Sequence, residues 1–327
     1  VKTRIVSGAA GVEEAVALLR AGQVVGMPTE TVYGLAGRAL HPEPVTRIFE
    51  AKERPLFDPL IVHLSSLDWL DRLTNAAGSP IVQALAGRFW PGPLTLVLPR
   101  SGLVPDLVTS GLPTVALRMS AHPLFREALA QLGEPVAAPS ANRFGRISPT
   151  AAAHVLEELD GRIPLILDGG PCAVGLESTV VAPVEGGLRL LRAGPISQQD
   201  LEAVAPVLPP SPGRKLESPG QLPSHYAPRA PLHLLAGQAE AEHWQGPGRT
   251  GLLAWSRTTT PAQFSAMEVL TPNHDPREAA TRLFGAMRSL DGLQLDLIVA
   301  EPPPGASGLE IAILDRLRRA SARERVR

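Results

Sequence analysis

The chain predicts an α/β fold in two parts, a larger twisted mixed sheet with helices followed by a smaller α/β domain. Three observations carry this. Short apolar runs alternate with stretches of helical period, the pattern of strands separated by helices. A length of 327 residues, 44% of them hydrophobic, supplies enough apolar material for a folded core and corresponds to about two domains. Residues 209–231 carry seven prolines and little periodicity, the composition of a stiff linker. The expected division is a domain at 1–208, a linker at 209–231 and a second domain at 232–327.

The elements follow in order. Residues 9–21 place Val12, Ala15, Val16 and Leu19 on one helical face, with Gly22 suited to the helix end. An apolar run at 23–28 reads as a strand, 43–51 as a helix and 60–64 as a strand. Helices are expected around 66–73 and 80–89, and strands at 94–98 and 114–119. Residues 122–132 read as a helix, 135–139 as a strand, and 148–159 as a helix with Ser148 as cap and Pro149 at its first position. A strand at 164–168 precedes a hairpin, 178–183 with 188–192, joined at Glu185-Gly186-Gly187. Beyond the linker, 231–236, 250–256, 267–272 and 296–302 read as strands, and 276–290 and 308–320 as amphipathic helices. The basic stretch from Arg316 to Arg327 reads as a solvated helix end favoured by the helix dipole.

Composition excludes several classes. With 31 basic against 32 acidic residues, no whole-chain field draws the protein onto nucleic acid or an anionic membrane, so any basic patch is local. The one cysteine, Cys172, excludes an internal disulfide framework and a multi-cysteine zinc site; it fits a reducing compartment and a small residue in a Gly/Pro turn. The first residues lack the apolar core of a signal peptide and no apolar run reaches spanning length, so the expectation is a cytoplasmic protein with no membrane partner. Residues 246–251 match G-x-G-x-x-G in form but precede a strand instead of linking strand to helix, and read as a loop. The sequence holds no Walker-A lysine motif, H-E-x-x-H or G-x-S-x-G.

Several segments concentrate chemistry. PTETVYGL at 28–35 crowds Thr29, Glu30, Thr31 and Tyr33 at a strand end, where open α/β sheets bind ligands; a helix cap at Thr29 is the plain alternative. Lys52 and Arg54 lie between a helix and a strand that ends near His63, two fixed cations suited to one anion such as a triphosphate. They also fit as cations at a helix C-terminus, but only three of the 31 basic residues are lysines, which favours a function for Lys52. Arg118 near the end of an apolar strand either surfaces or meets a carboxylate in bidentate fashion. APSANRFG at 138–145 offers Ser140, Asn142 and backbone N–H groups as an anion cradle ahead of a helix, or merely caps it. GLESTV at 175–180 and LRAG at 191–194 add a hydroxyl cluster and Arg192 at the hairpin ends.

PTETVYGL, AKERP with DPLIVHL, TVALR, PSAN, GLESTV and LLRAGP, in this order, resemble the YrdC-like family over roughly residues 5–207. SPGQLPSHYAP followed by a small α/β domain resembles the long, two-domain threonylcarbamoyl-AMP synthases of that family. The resemblance implies a YrdC-like twisted mixed sheet with a concave basic pocket, joined to a Rossmann-like second domain. It implies a reaction in which L-threonine, bicarbonate or CO2, and ATP give threonylcarbamoyl-adenylate and pyrophosphate. The product would serve the tRNA threonylcarbamoyl transferase machinery, which modifies the adenosine beside the anticodon.

The family's catalytic K-x-R and S-x-N signature falls on Lys52, Arg54, Ser140 and Asn142. By the same resemblance Arg54, Asp58, Thr114, Ser140, Ser148 and Arg192 would contact ATP, with Tyr226 of the linker closing over it. Thr31, His63, Arg118, Ala138 and Ser178 would contact threonine, Arg118 through the carboxylate. Mg2+ would ride with the triphosphate, with no dedicated protein metal site. Two features depart from the family pattern. Asp58 stands where asparagine is usual, and residues 221–224 (Gln-Leu-Pro-Ser) replace a basic stretch, although His225 and Tyr226 are kept.

Two other functions compete. One is a module that binds tRNA or double-stranded RNA without catalysis; balanced charge and few aromatics (seven Phe, four Trp, two Tyr) count against it. The other is a carbamoyl-adenylate-forming domain of the hydrogenase-maturation type, which would carry acylphosphatase-like or zinc-finger extensions not seen in this sequence.

Overall fold

Apolar side chains at helical spacing define the helices of the first part. In α1 (Gly8–Arg20) Val12, Ala15, Val16 and Leu19 are all buried. In α2 (Pro42–Lys52) proline occupies the first turn, where no N–H is needed, and Val45, Ile48 and Phe49 are buried. The remaining helices are α3 (Asp68–Leu73), α4 (Pro80–Phe89), α5 (Asp106–Thr109), α6 (Pro123–Leu132), α7 (Ala152–Leu159) and α8 (Gln198–Glu202). The computed structural model describes residues 2–209, 225–246 and 248–322.

Between the helices run β1 (Arg4–Ser7), β2 (Val25–Met27), β3 (Gly34–Arg38), β4 (Ile61–His63), β5 (Leu94–Pro99), β6 (Thr114–Arg118), β7 (Val136–Ala137), β8 (Leu165–Asp168), β9 (Thr179–Val184) and β10 (Gly187–Arg192). They form one ten-stranded mixed sheet in the order β1-β8-β2-β3-β7-β4-β6-β5-β9-β10. Alternation along β8 sends Ile166 into one core and Leu165 and Leu167 into the other, as the two-residue period of a strand requires. In the centre, β4 runs parallel to β6 with His63 opposite Arg118, and antiparallel to β7. That register brings an imidazole and a guanidinium to the same end of the sheet.

The second part is a four-stranded parallel sheet, β11 (Leu232–Leu234), β12 (Thr250–Ala254), β13 (Ala266–Val269) and β14 (Leu297–Ala300), in the order β11-β14-β12-β13. Helices α9 (Pro276–Asp291) and α10 (Gly308–Ser321) pack against it through Leu283, Phe284, Met287, Ile313 and Leu317. The same core takes in Val32, Ile147 and Leu176 of the first part, together with Tyr226. Arg288 of α9 reinforces the joint through Glu157 and Glu158.

Several expectations need correcting. The segment from 148 does not begin a helix: α7 starts at Ala152 with Ala151 as its cap. Tyr33 N–H donates to Pro149 O (2.8 Å) and Cys172 N–H to Thr150 O (2.9 Å), and these tertiary bonds hold residues 148–150 extended across the strand ends. Arg316 is not solvated; it is one of the largest fully buried side chains. Strand β3, with two glycines in GLAGR, has weak intrinsic strand preference, and pairing with β2 on one side and β7 on the other supplies it. The linker assigned to 209–231 falls mostly outside the described residues, including the divergent stretch 221–224. Gly251 lies in β12, so the G-x-G-x-x-G match leads into a strand, as its context suggested. Among the described residues no helix is long and apolar enough to cross a membrane.

The two parts approach closely at Gly175, whose φ is +78°; a Cβ there would stand 2.4 Å from Thr281 Cα and 2.6 Å from Ala280 O on α9. Gly175→Ala therefore combines left-handed backbone strain with a backbone clash, and should lower unfolding free energy by about 1–3 kcal/mol in urea titration. Gly87→Ala in α4, where a Cβ meets nothing within 4 Å, is the control and should hold or raise stability. Equal midpoints for Gly175→Ala and the wild type would disprove a tight joint there.

Candidate functional site

The ends of β4, β6 and β10, the start of β3 and the loops after β7 and before β9 surround a pocket. Of the residues singled out from sequence, Thr31, Arg54, His63, Arg118, Ala138, Ser140, Arg192 and Tyr226 line it. Lys52, Asp58, Asn142, Ser148 and Ser178 stand behind that wall. Thr114 opens β6 at the opposite end of the strand from Arg118 and is not brought to the pocket.

Lys52 is the last residue of α2 and is buried. Its Nζ donates to Ser140 O and Asn142 O, both at 2.5 Å. Asn142 Nδ2 in turn donates to Arg143 O (2.7 Å) and Arg146 O (2.9 Å), closing the turn. The K-x-R and S-x-N segments are thus one hydrogen-bonded unit, with Lys52 as its bolt. Burial, and then the neighbouring Arg54, push the Lys52 ammonium well below its ordinary range. The loop is not a helix N-terminus, since α7 begins only at Ala152.

Arg54 is buried and pairs with Asp58 at 2.7 Å. It also donates through Nε to Asp58 O (3.1 Å) and through Nη2 to Pro59 O (2.8 Å). Burial raises the Asp58 carboxyl, while Arg54 and Lys52 pull it down without cancelling that rise. Asp58 is therefore a partner for Arg54 and holds that cation in place.

Across the pocket, Arg118 Nη2 meets Glu30 Oε1 at 2.6 Å, and Ser120 donates to the other oxygen of Glu30. Burial alone raises the Glu30 carboxyl, but Arg118 and the hydrogen bonds outweigh it and hold it below the ordinary carboxylate range. Thr29 and Thr31 share a hydroxyl contact of 2.9 Å, and Ala138 N–H donates to Ile61 O (2.9 Å). His63 lies against Phe125 with ring centroids 4.9 Å apart. Ser178 Oγ contacts Thr95 Oγ1 at 2.7 Å and accepts from Arg192 Nη2 at 3.1 Å.

Sequence reasoning set Glu30 at a ligand-binding strand end without naming its partner, and gave no role to Glu177 or a buried Arg316. Glu30 orients Arg118. Glu177, on the pocket wall, accepts from Ser148 Oγ at 2.5 Å and pairs with Arg316 at 3.1 Å. Glu177 sits in the quoted GLESTV segment, where a carboxylate between Leu176 and Ser178 was the available signal. Arg316 carried no local signal, because its partners lie far away in sequence. His225 also lines the pocket, beside Tyr226 with centroids 4.2 Å apart.

Two family profiles divide the chain. One, described as "Telomere recombination" and covering Sua5, YciO and YrdC proteins, matches residues 17–194; the other, described as the C-terminal domain of threonylcarbamoyl-AMP synthase, matches 196–322. The threonylcarbamoyl-AMP synthase of Bacillus subtilis (strain 168) is 40% identical over 95% of this chain and 92% of its own length. The chain belongs to the Sua5/YrdC family of threonylcarbamoyl-AMP synthases. Its relative from Pyrococcus abyssi is 38% identical over 94% of this chain and 93% of its own. The crystal structure of P. abyssi Sua5 complexed with L-threonine matches with a TM-score of 0.88 and 36% identity, covering 98% of each chain.

For this Sua5/YrdC member the pocket is a cationic recess whose one titratable imidazole near Arg118 stays neutral. Burial, then Arg118, lower the His63 pKa from its ordinary value to about 3. The unfolded chain therefore takes up the proton first as pH falls. The stability that neutral His63 allows is complete above about pH 6.5 and is lost toward pH 3, at up to about 1.4 kcal/mol per pH unit. His63→Gln should flatten the acid limb of a plot of urea midpoint against pH between 6.5 and 4. Slopes unchanged by the substitution would mean that His63 protonates equally well in the folded protein.

Proposed function

We infer that this chain is an L-threonylcarbamoyladenylate synthase, a nucleotidyltransferase that condenses L-threonine, bicarbonate or CO2, and ATP with release of pyrophosphate. The main support is that Arg54, Arg118 and Arg192 line one pocket. Two anionic reactants must be brought together there, and fixed guanidinium groups offset their repulsion. The threonine amine adds to CO2, forming an N–C bond and releasing a proton. A carbamate oxygen then attacks the α-phosphorus; the new O–P bond forms as the bond to the β-phosphate oxygen breaks, and pyrophosphate departs. No protein nucleophile is required.

In this proposal Arg118, held by Glu30, takes the threonine carboxylate, and Thr31, neutral His63, Ala138 and Ser178 complete that side. Arg54, Ser140 and Arg192 face the phosphates. Lys52 and Asn142 hold the Ser140 loop in shape, Asp58 acts through Arg54, and Ser148 acts through Glu177. Tyr226 of the linker covers the nucleotide; Thr114 keeps only the support of the family resemblance. Among the described residues no three His, Cys, Asp or Glu side chains gather as a metal cage. Mg2+ belongs to this proposal as an ion carried by the triphosphate oxygens, which it would partly neutralise. A cytoplasmic setting, delivery of the product to the tRNA threonylcarbamoyl transferase machinery, and a 1–208 catalytic domain joined by 209–231 to 232–327 complete the proposal.

Incubation with ATP, Mg2+, threonine and bicarbonate should give the adenylate by mass, with pyrophosphate release dependent on threonine and bicarbonate together. Equal release from ATP alone would identify a plain ATPase and end the synthase assignment. Arg118→Ala should raise the threonine KM by about tenfold or more while moving the ATP KM less, since a bidentate carboxylate partner is lost selectively. Parallel rises in both would transfer Arg118 to the nucleotide side.

A further inference from the structure

Arg316 lies on α10 of the second part, yet its side chain is 0% exposed and most of what it holds belongs elsewhere. Its Nε donates to Glu177 Oε2 (3.1 Å) and its Nη1 to Ala193 O (2.7 Å), both in the first part. On its own helix it touches Asp315 (3.1 Å). Its guanidinium carbon stands 5.5 Å from the centroid of the Tyr226 ring, which also stacks on Phe284 of α9, with centroids 5.5 Å apart and planes at 30°. Glu177 and Tyr226 both line the pocket. A buried cation of one domain thus grips two pocket residues outside that domain.

The charge arithmetic gives the grip a purpose. Glu177 is the carboxylate on a wall that also carries Arg54, Arg118 and Arg192. A bare carboxylate there would repel a triphosphate and compete with it for Arg192. With one oxygen on Arg316 and the other on Ser148 Oγ, Glu177 has its charge countered from behind the pocket. We propose that Arg316 is a positioning residue for the nucleoside triphosphate, supplied by the second domain, which counters the charge of Glu177 beside the pocket cations and seats Tyr226 on the pocket wall. This rests on the assignment of the pocket to ATP made above.

The test compares wild type, Arg316→Met, Arg316→Lys, Glu177→Gln and the Arg316→Met/Glu177→Gln double variant. Calorimetric binding of a non-hydrolysable ATP analogue with Mg2+ is measured beside the KM values for ATP and threonine. Arg316→Met should weaken the analogue and raise the ATP KM by at least about tenfold, because the partner carboxylate is left unpaired. The threonine KM should move less. Adding Glu177→Gln should recover most of the loss, and Arg316→Lys should retain part of the affinity. A purely packing role for Arg316 predicts no such recovery. Analogue affinity within about twofold of wild type in Arg316→Met, or no recovery in the double variant, would overturn the proposal. If Arg316→Met does not fold, Arg316→Lys and the uncharged double variant carry the same comparison. A wild type that binds no analogue and makes no adenylate would instead refute the pocket assignment itself.

Discussion

The site depends on one ammonium group buried between two carbonyls. Lys52 Nζ joins the end of α2 to the loop after β7 by reaching Ser140 O and Asn142 O. Without that bolt, the turn that presents Ser140 would leave two carbonyl oxygens unpaired in the interior, at a cost of about 1–3 kcal/mol each. Arg54, two residues on, is aimed by the same helix end. The spacing of the K-x-R segment is therefore geometric: one cation fastens the far wall and the next one faces the pocket.

Buried charge is the recurring expense of this architecture, and pairing is how it is met. Arg54 has Asp58, Arg118 has Glu30, and Arg316 has Glu177. Each pair gains little net stability over an apolar replacement, but removing one partner typically costs about 3–5 kcal/mol. The pairs fix guanidinium orientation before any ligand arrives, so that little reorganisation is left for binding. Asp58 fits this pattern, because it supplies Arg54 with a carboxylate.

Much of this was legible in the sequence where the signal is local. The apolar face of α1, the hairpin of β9 and β10, and the strands and helices of the second part all follow from period and punctuation. Arg54, His63, Arg118, Ser140 and Arg192 were found because they flank apolar strands. What escaped was decided by distant partners. Ser148 looked like a helix cap until Glu177 claimed its hydroxyl and Tyr33 claimed the next carbonyl. Arg316 looked like one more cation at a basic helix end, since nothing near it in sequence reveals that its carboxylate lies in another sheet. Glycine-rich β3 is a strand only because two neighbours pair with it.

The shared core of Val32, Ile147, Leu176, Phe284 and Leu317 bears on the order of assembly during synthesis. When the ribosome has completed the ten-stranded sheet, those three first-part side chains still face water, and the wall near Glu177 lacks its countercharge. α9 and then α10 emerge later and cover both. A nascent chain folding from its N-terminus therefore passes through a stage with a formed sheet, an exposed apolar patch and an unfinished recess. The recess becomes complete only when Arg316 arrives, so translation itself delays the appearance of a finished site until both parts have been made.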